Sequence, residues 1–332
     1  MQRQAALAQW GSVGNLRLFQ PDEVCGLPCR WSRFRTKGPE FMRLEAGERT
    51  TRRIGVWRCG DRRIEYGARS LVMGIVNVTP DSFFDGNRYV RHQSAIDHAC
   101  RMLEAGADLI DVGGESTRPG AERVSVEQQI ERVAPVIEGV RTRMGALLSV
   151  DTTRAEVARA ALDAGAVIIN DISACREDPA MVGLAQRTGA GLVLMHMRGT
   201  PLTMQLDPVY ADVVSEVLEF LKAAGQRVID QGVEPSQICI DPGIGFGKTV
   251  EHNLLLFRDP RRFVDTPFPV LLGTSRKSFL GRVLGREVED RLWGSLATAA
   301  WAVQAGVAVI RVHDVPQTVD VVRVMSSIQR ES

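Results

Sequence analysis

Eight short apolar runs, separated by stretches of helical periodicity, constrain this chain more than any other feature. They are Leu71–Val76, Leu109–Val112, Leu147–Val150, Val167–Ile169, Leu192–Met195, Ile238–Ile240, Val270–Leu272 and Val307–Val312. Each is continuous rather than alternating, the pattern of strands buried on both faces of a parallel sheet. Between them, apolar residues recur at helical spacing, as in Ala95-Ile96, Ala99 and Met102-Leu103, or Val213-Val214, Val217-Leu218 and Leu221. The last intervening helix is expected to bury Leu292, Leu296, Ala299-Ala300 and Val303. Gly106, Gly165, Gly232 and Gly306 follow helical stretches, where glycine is the favoured C-terminal cap. Eight strand–helix units in series predict an α/β fold, a (β/α)8 TIM barrel. Residues 71–332 number 262, close to the roughly 250 typical of that architecture. Ahead of it, Val56–Cys59 and Arg62–Tyr66 flank Gly60-Asp61 and read as a β-hairpin.

Composition narrows the function classes. Lys plus Arg is 41 and Asp plus Glu is 40. A chain this close to neutral carries no global attraction for nucleic acid or an acidic membrane. No run approaches the roughly 20 apolar residues of a membrane helix, and the N-terminus lacks a signal peptide's apolar block. Six cysteines are too sparse for a disulfide scaffold. Cys25 and Cys29 form a C-x3-C pair with no second pair, which does not make a zinc site. Cys100, Cys175 and Cys239 lie in or beside apolar segments, so the expected location is cytoplasmic. The charge is uneven. Residues 1–63 hold 13 basic and 6 acidic residues, leaving 28 and 34 for the remainder.

Polar residues gather where the strands end. In order they are Asn77, Asp111, Asp151, Asn170-Asp171, His196, Asp241, Ser275-Arg276-Lys277, and Arg311 with His313. Any one could cap a helix or shape a turn. Eight strands ending this way exceed what turns require, and in this barrel those ends form the active-site face. Asp151, Asn170 and Asp241 suit a flat heterocycle with adjacent N–H and C=O edges. Lys277, Arg311 and His313, with Asn77, suit a phosphate or diphosphate. The substrate is therefore expected to be a ring at one end and an anion at the other.

Two nucleotide-loop readings fail on spacing. Asp241–Thr249 resembles a Walker loop, but Pro242 stands where its first glycine belongs. Lys248 occupies the third glycine position of a dinucleotide fingerprint, and reads instead as a surface or loop charge. His92, His98 and His252 show no metal-ligand spacing, and His196 is left open between a functional role and the barrel lining. The loops Asn77–Gly86, with Phe83 and Phe84, and Asp111–Gly120 have the character of flaps that close over a substrate.

The motifs, taken in order, resemble the dihydropteroate synthase family of pterin-binding barrels. They are Gly74-Ile-Val-Asn-Val-Thr-Pro-Asp-Ser-Phe83, Asp111-Val-Gly-Gly-Glu-Ser-Thr-Arg-Pro-Gly120, Ser149-Val-Asp-Thr-Thr153, Ile169-Asn-Asp171, Met195-His-Met197, Asp241-Pro-Gly-Ile-Gly-Phe-Gly-Lys248, Gly273-Thr-Ser-Arg-Lys-Ser-Phe-Leu-Gly281 and Arg311-Val-His-Asp314. The resemblance implies condensation of dihydropterin-CH2-diphosphate with p-aminobenzoate, giving dihydropteroate and pyrophosphate. It implies that Asp151, Asn170, Asp241 and Lys277 hold the pterin. Asn77, Arg311 and His313 would hold the diphosphate and its Mg2+, with Asn77 the metal ligand. Phe83, Thr117, Arg118, Pro119 and Ser278 would frame p-aminobenzoate, where sulfonamides would compete. Lys277, Arg311, His313 and Asp241 carry the chemistry on this reading, and a homodimer is expected. The first loop departs from the family's usual pattern at Phe84 and Asn87.

Two other readings stand beside this one. A pterin-dependent methyltransferase would share Asp151, Asn170 and Asp241, but gives no use for Ser116-Thr-Arg-Pro119 or Ser275-Arg-Lys277. A catalytically silent pterin-binding paralogue would not require Lys277, Arg311 and His313 to be intact. The barrel is assigned residues 54–332. Residues 1–53, a basic extension, match nothing in the family and are expected to be a flexible tail or to precede the true start, with Met42 available.

Overall fold

The computed structural model describes residues 54–79, 88–116 and 123–329. The N-terminal extension with Cys25 and Cys29, the loop carrying Phe83 and Phe84, and the Thr117-Arg118-Pro119 run lie outside the described residues. All eight expected barrel strands are present. They are β3 (Leu71–Asn77), β4 (Leu109–Gly113), β5 (Leu147–Asp151), β6 (Ile168–Asp171), β7 (Gly191–Met195), β8 (Ile238–Asp241), β9 (Leu271–Gly273) and β10 (Val309–Val312). Each pairs in parallel with its neighbour in the order β8-β7-β6-β5-β4-β3-β10-β9. A parallel bridge between Ile240 and Val270 joins the ends of that sheet and closes the barrel.

The strands read as unbroken apolar runs because both faces are covered. Val72, Ile110, Leu148, Ile169, Leu192, Ile240, Leu272 and Ile310 pack outward under the helices. Alternate residues, among them Met73, Leu109, Ile168, Val193, Cys239, Leu271 and Val309, fill the interior. The helices are α1 (Arg88–Glu104), α2 (Val126–Met144), α3 (Ala155–Ala164), α4 (Ala180–Thr188), α5 (Val213–Asp230), α6 (Val250–Arg258), α7 (Arg261–Val264), α8 (Ser278–Leu284), α9 (Leu292–Ala305) and α10 (Val315–Gln329). Gly106, Gly165, Gly232 and Gly306 all adopt positive φ, as their placement after helical stretches predicts.

The expected hairpin is also present, as β1 (Gly55–Cys59) and β2 (Arg62–Tyr66), paired antiparallel with Cys59 opposite Arg62. It plugs the N-terminal end of the barrel. Trp57, Cys59 and Ile64 join the interior cluster, and the Trp57 indole donates to the Gln237 carbonyl at 2.6 Å. With that end sealed, the opposite rim alone is open for chemistry.

One helix differs from expectation. α9 buries Gly294, Ser295, Ala299, Ala302 and Val303, while Leu292, Leu296 and Ala300 are only half-buried. Small residues allow close approach to the neighbouring helix, which turns the bulky side of α9 outward. Trp293 is 76% exposed and Trp301 52%. Among the described residues no helix is long and apolar enough to cross a membrane.

Candidate active site

The polar residues at the strand ends converge on the rim opposite the hairpin. Arg311, in β10, is the junction. Its Nε donates to Asp111 Oδ2 at 2.6 Å, and its NH2 donates to Asp151 Oδ2 at 2.8 Å. Asn170 Nδ2 donates to the same Asp111 oxygen at 2.9 Å. Three strand ends, β4, β5 and β6, are thereby tied to β10 across the barrel mouth. Burial, with Asp111 and Asp171 nearby, raises the Asp151 carboxyl above the usual carboxylate range, against the opposing pull of Arg311.

Asp111, one of the polar strand-end residues, has no role in the sequence-based expectation of the site. It is fully buried, and its Oδ1 has no hydrogen-bond partner. The signal was available: a carboxylate inside Leu109-Ile-Asp-Val-Gly113 interrupts an otherwise apolar strand, and a buried charge requires a partner.

The opposite side of the mouth is built by the loop after β8. Asp241 Oδ1 accepts the Gly243 N–H at 2.7 Å. Burial raises its carboxyl, opposed first by Lys277. The Lys277 ammonium donates to the Ile244 carbonyl and sits 4.5 Å from the centre of the Phe246 ring. Burial lowers it to about 8, with Asp241 the main opposing charge, so it remains mostly protonated at neutral pH. Ser278 is the first residue of α8.

Lys248 overturns the expectation of a surface charge. It is 3% exposed. Its three ammonium protons have three close acceptors: His196 Nδ1 at 2.9 Å and the carbonyls of Gly243 and Phe246, each at 3.0 Å. Burial drives its pKa well down, although Asp241 opposes this. His196 is buried beside it, and burial, with Lys248 and Arg176 close by, lowers its imidazole to about 2. It therefore accepts as a neutral ring. The pair fastens the glycine-rich loop from below. A Cβ at Gly243 would collide with the His196 carbonyl, so that position requires glycine.

His313 lies at the end of β10. Its backbone N–H donates to Ser275 Oγ at 3.2 Å, and its Nδ1 lies 3.1 Å from the same oxygen. Asn77 ends β3, where its Oδ1 and Asp151 Oδ2 flank Gly113, 3.6 and 3.9 Å from a Cβ built on that glycine. Beside Asp151 an open cleft is lined by Glu115, Thr152, Ile172 and Thr200 among others. Asp151, Asn170, Asp241, Lys277, Arg311, His313 and Asn77 are thus gathered at one rim, and Ser278 begins the helix that follows Lys277.

The family model of pterin-binding enzymes matches residues 73–313, a span that holds this rim and, but for the first two residues of β3, all eight barrel strands. The chain belongs to the pterin-binding enzymes. Within that family it falls among the dihydropteroate synthases. It is 46% identical over 256 residues to the dihydropteroate synthase of Escherichia coli, covering 77% of this chain and 90% of that one. The Xanthomonas albilineans dihydropteroate synthase, solved with 4-aminobenzoic acid, superposes with a TM-score of 0.79 at 43% identity, covering 84% of this chain and all of that one. The Yersinia pestis dihydropteroate synthase, solved with a sulfonamide drug, gives 0.78 at 40% identity over 83% of this chain and 99% of that one.

Proposed function

We propose that this chain condenses dihydropterin-CH2-diphosphate with p-aminobenzoate to form dihydropteroate and pyrophosphate. The observation that carries this reading is the division of one rim. An acid–amide group, the half-buried Asp151 with the buried Asn170 and Asp241, stands beside cations supplied by Lys277 and Arg311.

On this reading the pterin ring lies among Asp151, Asn170 and Asp241, which meet its N–H and C=O edges, while Lys277 donates to the ring as an ammonium. Arg311 and His313 take the diphosphate. Departure of pyrophosphate breaks the C–O bond of the CH2 group and leaves a cation shared with the electron-rich ring. Arg311 and His313 stabilise the charge that builds on the leaving oxygen. The p-aminobenzoate amine then forms the new C–N bond and releases its proton to solvent. That amine is neutral at pH 7, so the site needs no strong general base. Ser278, with Phe83, Thr117, Arg118 and Pro119, frames p-aminobenzoate, and sulfonamides compete there.

Asn77 is the assigned protein ligand for Mg2+. Mg2+ commonly takes one or two protein oxygens and completes its shell with substrate phosphates and water. Asn77, at the end of β3, offers an amide oxygen, the class of donor that such a hard cation takes. When bound, the ion would neutralise charge on the departing diphosphate.

The exposed Trp293 and Trp301 on one side of α9 favour pairing of two copies through that helix. Four free, buried cysteines, Cys59, Cys100, Cys175 and Cys239, suit a reducing cytoplasmic setting. Residues 1–53 are assigned to an extension outside the barrel of 54–332. The test of the reaction mixes the chain with the pterin diphosphate, Mg2+ and p-aminobenzoate and follows pyrophosphate. Release that requires both substrates supports the synthase. Tight pterin binding without turnover would identify a silent binding protein instead.

A further inference from the structure

The turns after β9 and β10 are joined by an ion pair that the reaction as described does not use. Arg276 Nε donates to Asp314 Oδ2 at 3.0 Å, and its NH2 donates to Asp314 Oδ1. Arg276 immediately precedes Lys277, and Asp314 immediately follows His313. A planar guanidinium gripping both oxygens of a carboxylate fixes orientation as well as distance.

Arg276 is held on every side. Its φ is +58°, a left-handed conformation that side-chain-bearing residues adopt only when the surroundings impose it. Its N–H donates to Ser295 Oγ at 2.9 Å, and its carbonyl accepts from Arg291 NH1 at 3.1 Å. Both partners belong to the start of α9: Ser295 lies within it, and Arg291 immediately precedes it. A second tie runs beside the first, from Ser275 Oγ to the backbone N–H and Nδ1 of His313. The two turns are thus stitched at consecutive residues, Ser275 to His313 and Arg276 to Asp314. The residues on either side of the Arg276–Asp314 pair, Lys277 and His313, are those assigned to opposite ends of one substrate.

We propose that Arg276 and Asp314 are positioning residues, a clamp that sets the spacing between the pterin-holding Lys277 and the diphosphate-holding His313 without itself touching substrate. The inference rests on the proposed reaction for the roles of Lys277 and His313. Its physical content is a matter of linkage. A rigid spacing lets one molecule engage both ends at once, so the two halves reinforce each other. Loosening the clamp leaves each end able to bind its own fragment, but lowers the advantage of the joined substrate.

The experiment uses the full chain and Asp314→Asn, which keeps the side chain's shape and removes its charge, with Arg276→Ala and the double variant Arg276→Ala/Asp314→Asn. Three ligands are titrated into each by calorimetry: 6-hydroxymethylpterin, inorganic pyrophosphate with Mg2+, and the pterin diphosphate. Steady-state turnover is measured alongside. The expected result is about a 10-fold or greater loss in affinity and kcat/KM for the pterin diphosphate, with each fragment bound within about 3-fold of wild type. The double variant should lose no more than the worse single variant. Equal weakening of all three ligands, or full affinity for the pterin diphosphate, overturns the clamp. Should Arg276→Ala fail to fold, Asp314→Asn decides alone. Absence of turnover in the wild-type chain would count against the reaction and leave the three-ligand comparison to judge the clamp.

Discussion

Arg311 and Asp151 stand 160 residues apart in sequence and meet at 2.8 Å across the barrel mouth. The same guanidinium reaches Asp111, 200 residues away, at 2.6 Å. One cation thus joins the first half of the barrel to its last strand, inside the site that it is proposed to serve.

Asp111 should therefore contribute to both stability and function. It is fully buried, and removing one member of a buried charge pair leaves the other uncompensated. Asp111→Ala is expected to destabilise the fold by about 3 kcal/mol or more, read from urea unfolding. Asp111→Asn keeps an acceptor for Arg311 and Asn170 and should cost less, while kcat/KM still falls as Arg311 loses its anchor. Wild-type stability in Asp111→Ala would mean that the pair contributes nothing to the fold.

Lys277→Ala is expected to lower turnover by roughly 100-fold or more, the scale for losing a preorganised electrostatic group. The ammonium is held by the Ile244 carbonyl and the Phe246 ring, so little rearrangement is needed when substrate arrives. Lys277→Arg should not restore activity, because a planar fork does not reproduce a point charge at that place. Turnover within a few-fold of wild type would remove Lys277 from the chemistry.

The sequence carried the barrel because each strand is locally apolar and each helix locally periodic. Leu71–Asn77 and Leu109–Gly113 need no distant partner to be recognised as buried strands. Asp151, Asn170, Asp241, Lys277 and Arg311 were legible as strand-end residues for the same reason. Lys248 was not. Its acceptors are His196 Nδ1 and the carbonyls of its own loop, and that loop folds over His196 only when β7 and β8 lie side by side. The buried side of α9 departs from the apolar count by a similar limit: Gly294 and Ser295 face the interior beside the expected Ala299 and Val303, because close packing rewards small residues, which a hydrophobic count does not register.

The His196–Lys248 pair also makes stability depend on pH. Burial lowers the folded imidazole to about 2 from an ordinary 6.5. Below pH 6.5 the unfolded chain takes up a proton that the folded chain refuses, so this group's contribution falls as pH falls. Asp171 acts oppositely. Burial raises its folded carboxyl to about 6 from 3.8, so the folded chain gains a proton first and is favoured as pH drops through that window. Comparison with His196→Gln isolates the histidine. The stability of wild type relative to the variant should fall by about 2 kcal/mol between pH 7 and pH 5, measured by urea unfolding at each pH. A gap that stays constant would mean that the imidazole is already protonated, or readily solvated, in the folded protein.

Removal of residues 1–53 tests whether the barrel is self-sufficient. Every strand among the described residues, and each assigned site residue, falls between Gly55 and His313, and the hairpin that seals the N-terminal end begins at Gly55. Trp57 is buried in the barrel interior and bonded to the Gln237 carbonyl. A chain beginning at residue 54 should therefore keep its melting temperature and its kcat/KM for both substrates. A chain beginning at residue 68 lacks the plug. It would expose Met73, Leu109 and Val193 to water and leave the Gln237 carbonyl without its indole donor. It should unfold at markedly lower temperature, since loss of a buried Trp alone typically costs about 3–5 kcal/mol. Activity lost with the first cut would place a function in residues 1–53; stability kept after the second would mean that the hairpin does not plug the barrel.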